Sequence, residues 1–143
     1  MPDISLQQAD IIIDATLARG TELKLRPLAA AVLDVGGNVK AFKKQDGGSL
    51  MRFEMAFGKA YAALSLGRAS RLILQRAEER PLFMDYLIRA SGGKIFPEGG
   101  GVLIRSAAGE VIGAIGVTGD IQERDEDCAI VGIDAAGLKT DEP

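Results

Sequence analysis

The 143-residue chain contains no histidine, no tryptophan and a single cysteine, Cys128. Without imidazole it lacks the usual near-neutral acid–base group and the commonest metal ligand, which excludes every Ser–His or Cys–His nucleophile and most zinc sites. No metal site is expected. One thiol forms no internal disulfide, in keeping with a reducing compartment. Basic residues are in slight deficit, 17 Lys and Arg against 20 Asp and Glu, and no basic cluster interleaved with aromatics offers phosphates a footprint. Nucleic acid is therefore not an expected partner. No apolar run is long enough to span a bilayer, and the opening MPDISLQQAD has neither a basic region nor a continuous apolar stretch behind it. These absences point to a cytoplasmic protein with no membrane partner.

What is present is enough apolar residue for a core. With 47% hydrophobic and 26% charged residues, the chain reads as one globular domain that buries roughly two-thirds of its unfolded surface. Residues 1–138 form that domain, and the polar end KTDEP, 139–143, reads as a mobile tail.

Ser5 followed by Gln8 spells a capping box, and Leu6, Ala9, Ile13 and Leu17 keep helical spacing up to Gly20. Two extended runs then meet at Gly36, Gly37 and Asn38, residues that accept the positive φ of a tight hairpin. From Ser49 to Gly67 the pattern is helical and apolar on nearly every side, which predicts a helix buried on more than one face. Arg52 and Lys59, seven residues apart, share one face of it. A further helix is predicted over 69–79, and another opens at Pro81 and ends at Gly92 and Gly93. The short strand KIF, a corner of Pro97, Glu98 and three glycines, and a second hairpin follow. A last helix is predicted behind Asp120 and Glu123, with Asp125, Glu126 and Asp127 near its positive dipole end. Hairpins separated by helices predict an α+β fold: a five-stranded antiparallel sheet flanked by helices.

Three groups of residues invite a functional reading. Gly99, Gly100 and Gly101 match neither a Walker loop nor a dinucleotide fingerprint, and they precede a strand. They form either a wide bend or a low backbone wall for a ligand; Gly113, Gly116 and Gly119 pose the same choice between close packing and ligand contact. Arg52 and Lys59, on an otherwise apolar helix, require water, a carboxylate such as Asp46 or Glu54, or an anionic ligand. Glu98 is either a solvated loop carboxylate or, if desolvated, an acid–base group.

The segments AVLDVGGNVKAFKKQDG, GKAYAAL, GGGVLIRSAAGEVIGAIGVTGD and RDEDCAIVGIDAAG, in this order, resemble the GlcG/HbpS family of heme-binding-type proteins, related to the C-terminal domain of PduO proteins. The resemblance implies a profilin-like fold in α/β/α layers, assembly into homo-oligomers, and association with a small molecule or cofactor, with heme or corrinoid metabolism named for some relatives. Asp46 and Gly47 match the family's DG, Lys59 its helical lysine, and Gly100, Gly101 and Gly116 its glycines. Relatives that bind heme through histidine have no counterpart here; Met51, Met55, Tyr61 and Cys128 are the side chains that could ligate iron instead.

These readings place a ligand pocket between the helix face of Arg52 and Lys59 and the corner of Phe96, Pro97, Gly99, Gly100 and Gly101, with Gly116 beneath. A second reading is an enzyme acting on a small carboxylate or carbonyl compound, with Glu98 or Asp46 as base and Lys59 or Arg52 as electrostatic stabiliser. A third is a purely structural subunit whose pocket is filled by its own side chains or a neighbouring protomer.

Overall fold

The computed structural model describes residues 2–141. Ser5 caps helix α1 (Leu6–Glu22) with both bonds of the capping box: its hydroxyl accepts from the Gln8 N–H, and the Gln8 side chain accepts from the Ser5 N–H, each at 3.0 Å. The helix continues through Gly20 rather than stopping there. Glycine serves a packing need at that point, because a Cβ would lie 2.4 Å from Leu28 Cδ1.

Strands β1 (Ala29–Asp34) and β2 (Val39–Lys44) form the first hairpin. Asp34 Oδ1 accepts from the N–H groups of Gly36 and Asn38, and Gly37 supplies the positive φ at +81°. Helices α2 (Arg52–Leu66), α3 (Ser70–Glu79) and α4 (Pro81–Ala90) follow, then the hairpin of β3 (Gly101–Arg105) and β4 (Val111–Thr118), and finally α5 (Gln122–Ala135). Gly67 ends α2 in the left-handed region at φ +72°, as a C-terminal glycine should.

The sheet is antiparallel, as predicted, but has four strands in the order β2-β1-β4-β3 rather than five. The missing strand is KIF, 94–96. The Phe96 N–H donates to Gly58 O of α2 at 3.2 Å, and the segment lies on that helix because Gly58 has no side chain; a Cβ there would meet Phe96 Cβ at 2.7 Å. Three residues are too few to reveal which surface an apolar run will cover. The outer edge of β3 is occupied instead by the polar tail. Arg105 and Lys139 exchange both backbone bonds, Thr140 donates to Leu103 O, and Asp141 pairs with Arg105. Residues 139–141 of the expected mobile tail are thus bonded to the body, and 142 and 143 lie outside the described residues.

Strand alternation sorts the core into two layers. Ala30, Val32, Val102, Ile104, Ile115 and Val117 face α1 and α5, whereas Leu33, Leu103 and Ala114 face α2. The α2 side is lined by smaller residues, so one helix can lie close to it. The predicted Asp120 cap of α5 is not formed: the N-cap is Ile121 with no side-chain bond, and Asp120 instead accepts from the N–H groups of Ile121 and Arg26. Its carboxylate ties the start of α5 to the chain before β1. No helix among the described residues is long and apolar enough to cross a membrane.

Candidate functional site

Ala56, Ala60 and Ala63 are fully buried and turn α2 toward the sheet. The approach is set by glycines opposite them. A Cβ at Gly116 would lie 1.9 Å from Ala56 O, and one at Gly101 would lie 2.1 Å from Lys59 O. The space above both is occupied by the helix backbone. Gly100 adopts φ +124°, with Lys59 Cδ and Nζ 3.1 Å from where its Cβ would be. Two N–H groups of this corner are committed within the protein: Gly99 donates to Gln122 Oε1 at 2.8 Å and Gly101 to Ser70 Oγ at 2.7 Å.

Lys59 is buried where the sequence reading sets it beside a ligand pocket. Its ammonium donates to Val117 O at 3.0 Å and to Asp125 Oδ2 at 3.2 Å. Asp125 in turn accepts at Oδ1 from the Asp120 N–H at 3.0 Å. Burial lowers the Lys59 pKa and raises that of Asp125, and the mutual attraction of the pair opposes both shifts. Glu98 and Arg52 are also close enough for their charges to act on Lys59, Glu98 favouring its protonated form and Arg52 disfavouring it.

Arg52 is half-buried at the first residue of α2, where Nη1 donates to Thr118 Oγ1 at 3.0 Å. Its Nε is buried without a partner among the described residues. An unpaired guanidinium N–H removed from water costs free energy unless another acceptor arrives. Asp46 stands apart, exposed in the turn after β2, and no hydrogen bond or ion pair among the described residues joins it to Arg52, Lys59 or Glu98.

Beside the N-terminal half of α2 lies a hollow of about 340 Å³ lined by Met51, Glu54, Met55, Gly93, Ile95 and Phe96. Phe96 is therefore the member of the predicted corner that faces it. Gly99 faces a different hollow of about 440 Å³, in which Arg71 Nε stands 3.2 Å from Glu126 Oε2. Among the four iron-ligating candidates, both thioethers line the first hollow. Tyr61 stacks on Phe57 with ring centroids 5.6 Å apart, and Cys128 is enclosed between α1 and α5 on the other side of the sheet.

Asp125, Thr118, Gln122 and Ser70 organise this region and escape the sequence reading. Asp125 sits in an acidic run at a helix start, a pattern that looks like dipole compensation; its partner Lys59 is 66 residues away. Ser70 and Thr118 give no local sign of the bonds they make.

The family model described as "haem degrading protein HbpS-like" matches residues 4–134. An uncharacterised 15.0 kDa protein encoded in the dhaT–dhaS intergenic region of Citrobacter freundii is 28% identical over 131 residues, 92% of this chain and 90% of that protein. The crystal structure of Klebsiella pneumoniae protein ORFY is similar with a TM-score of 0.86 at 25% identity, covering 96% of this chain and 92% of that one. A PduOC:heme complex is similar with a TM-score of 0.85 at 24% identity, covering 98% and 99%.

Proposed function

The chain belongs to the HbpS-like family, and from that premise we propose that it binds a small planar cofactor of the heme type in the hollow beside the N-terminal half of α2. The observation that carries this reading is the chemistry collected there. Met51, Met55 and Phe96 offer a polarizable apolar wall. Arg52, next in sequence to the lining residue Met51 and about 60° around the helix from Met55 by helical geometry, does not itself line the hollow but holds a buried Nε with no partner among the described residues. A ring with carboxylate substituents suits that pair of features: its apolar face meets the thioethers, and a carboxylate satisfies the guanidinium.

With no histidine in the chain, a bound iron would draw its protein ligand from Met51 or Met55, with the Glu54 carboxylate as the harder alternative in the same hollow. Heme would supply a redox-active iron there. The chain's own contribution is to bind and orient it, with Thr118 steadying Arg52 through Nη1. A corrinoid offers a ring of similar shape and belongs to the same reading.

The reading includes self-association. Phe42, Phe53, Phe57 and Tyr61 form a ladder with successive centroids 5.0, 5.9 and 5.6 Å apart, all of them half-buried and so partly open to a second copy. Native mass spectrometry should show a multimer that Phe53→Ser weakens; a monomer at micromolar concentration would remove this part.

Hemin titration followed by absorption tests the ligand. The expected result is a saturable complex with a stoichiometric endpoint, weakened about tenfold or more in Arg52→Gln, since a hydrogen bond to a charged group contributes roughly 1.5–3 kcal/mol. Hemin dimethyl ester should bind the native protein as weakly as hemin binds the variant. Met55→Leu should alter the spectrum more than the affinity. Absence of a saturable complex, or identical behaviour of acid and ester, would end the proposal.

A further inference from the structure

A third hollow, sharing no lining residue with the two described above, lies among α2, α3 and α4. It is enclosed by Leu66 at the end of α2, Ile73 on α3, and Phe83, Met84 and Leu87 on α4, with Arg68 and Arg76 at its rim. Ile73 and Met84 are almost fully buried and give it a dry floor, continuous with the cluster that includes Ala62 and Ile95.

Local sequence explains the shape. Gly67 turns the chain sharply out of α2, which brings Arg68 back over Leu66. Arg80 and Pro81 break α3 from α4, so the two short helices fold against each other. Spacing then does the rest. Ile73 and Arg76 are three residues apart on α3, while Phe83 and Leu87 are four apart on α4, so each pair shares a face. The Arg80 guanidinium stands 4.3 Å from the centre of the Phe83 ring and holds that ring at the edge of the hollow.

Two arginines line the hollow together with its apolar residues. Among the described residues, neither the Arg68 nor the Arg76 side chain makes a hydrogen bond or an ion pair, although Arg19, Arg26, Arg71, Arg89 and Arg105 all pair with carboxylates. The acids nearest to Arg76 in sequence do not neutralise it: Glu78 faces the separate hollow of Arg71 and Glu126, exposed Glu79 makes no ion pair among the described residues, and Asp85 on α4 is paired with Arg89. An apolar pit with two free guanidinium groups at its mouth complements an anion that carries an apolar tail.

Size selects the tail. The volume is about 180 Å³, slightly above the roughly 150 Å³ of an engineered apolar cavity known to hold one benzene ring. Its volume suits one compact ring rather than a tetrapyrrole. We propose that this hollow is a binding site for a small monocarboxylate with one compact apolar group, such as an aryl carboxylate, its ring on Ile73, Met84 and Leu87 and its carboxylate between Arg68 and Arg76.

The test uses the full chain with benzoate as probe, and benzyl alcohol and acetate as controls that remove the charge and the ring in turn. Two-dimensional NMR should show benzoate shifting the Met84 and Ile73 methyl signals in a saturable manner, with both controls binding at least tenfold more weakly. Arg68→Gln combined with Arg76→Gln should lower benzoate affinity about tenfold or more, because the carboxylate then loses its charge-assisted hydrogen bonds. Both arginines lie at the rim, so this variant should keep the circular dichroism of the parent. Leu87→Phe, which fills the pit and spares the arginines, should abolish the methyl shifts. The inference is overturned if benzyl alcohol binds as well as benzoate, if the double variant keeps full affinity, or if benzoate leaves the Met84 methyl unmoved. None of these results bears on hemin binding at α2.

Discussion

Lys59 Nζ stands 3.2 Å from Asp125 Oδ2, with the two side chains 4% and 1% exposed. The pair joins the middle of α2 to the first turns of α5 at the end of β4, and both its members also bond backbone, Lys59 to Val117 O and Asp125 to the Asp120 N–H. Gly100 makes room for the lysine stem. The glycine corner is thus built around an ammonium supplied by the protein itself.

Breaking this pair should cost much more than replacing it. Lys59→Met leaves a buried carboxylate alone, and Asp125→Leu leaves a buried ammonium, each a loss of roughly 3–5 kcal/mol, whereas the double variant should recover a good part of that. Urea unfolding of the three variants measures the difference. Single variants that each cost under about 1 kcal/mol would show that the pair is not what holds α5 to α2.

Gly116→Ala should destabilise the protein at or beyond the upper end of the roughly 1–3 kcal/mol typical of overpacking. The added methyl would meet Ala56 O at 1.9 Å, backbone against backbone, with no flexible side chain to yield. Gly137→Ala is the control: its φ of +72° is strained for alanine but nothing lies within 4 Å, so about 1–2 kcal/mol is expected. Equal melting temperatures for the two variants would contradict this account of α2 packing.

Cys128 should be inert in the folded protein. Burial raises its thiol pKa to about 11, so at pH 8 almost no thiolate is present and a disulfide reagent should react only after denaturation. The sign of the linkage follows. The unfolded thiol ionises near its ordinary value of 9.0, so the folded state holds the proton longer, and the stability contributed by this group is complete below that pH and lost as pH rises toward 11. Cys128→Ala should therefore show a shallower alkaline decline in stability than the parent. Rapid native labelling at pH 8 would disprove the enclosure.

Truncation after Leu138 should remove the two backbone bonds between Lys139 and Arg105, the Thr140 bond to Leu103 O, and the Asp141 pair. At about 0.5–1.5 kcal/mol for a typical net hydrogen bond, the three hydrogen bonds alone predict a loss of roughly 1.5–4.5 kcal/mol, and an uncovered β3 edge should promote self-association. Hydrogen exchange at Arg105 gives a direct reading, since its N–H should lose protection in the truncated chain. Unchanged exchange would mean that the tail contributes little to that edge.

Much of the fold was readable from neighbours in sequence. The capping box of Ser5 and Gln8, the Gly36–Gly37–Asn38 turn and Gly67 all act within a few residues, and each appears where the pattern predicts. KIF was misread because an apolar triplet carries no period of its own; Gly58, thirty-eight residues before Phe96, decides that the segment lies on a helix. The candidate site was legible only in outline. Arg52, Lys59, Glu98 and the glycine corner are neighbours in space, yet which cation stays available depended on Asp125, whose run of acids resembles ordinary helix-end charge.

The amino-acid sequence by itself determined the order of helices and hairpins, the absence of histidine chemistry and the family pattern, because turns, caps and periodicity are settled by local backbone preferences. Only the tertiary structure decided the number of strands, the burial of Lys59, and the meeting of Arg68 and Arg76 at the rim of one apolar pit. Those outcomes depend on which distant surfaces meet, and the free energy of burying or pairing a charge is set by that meeting rather than by the residues on either side of it.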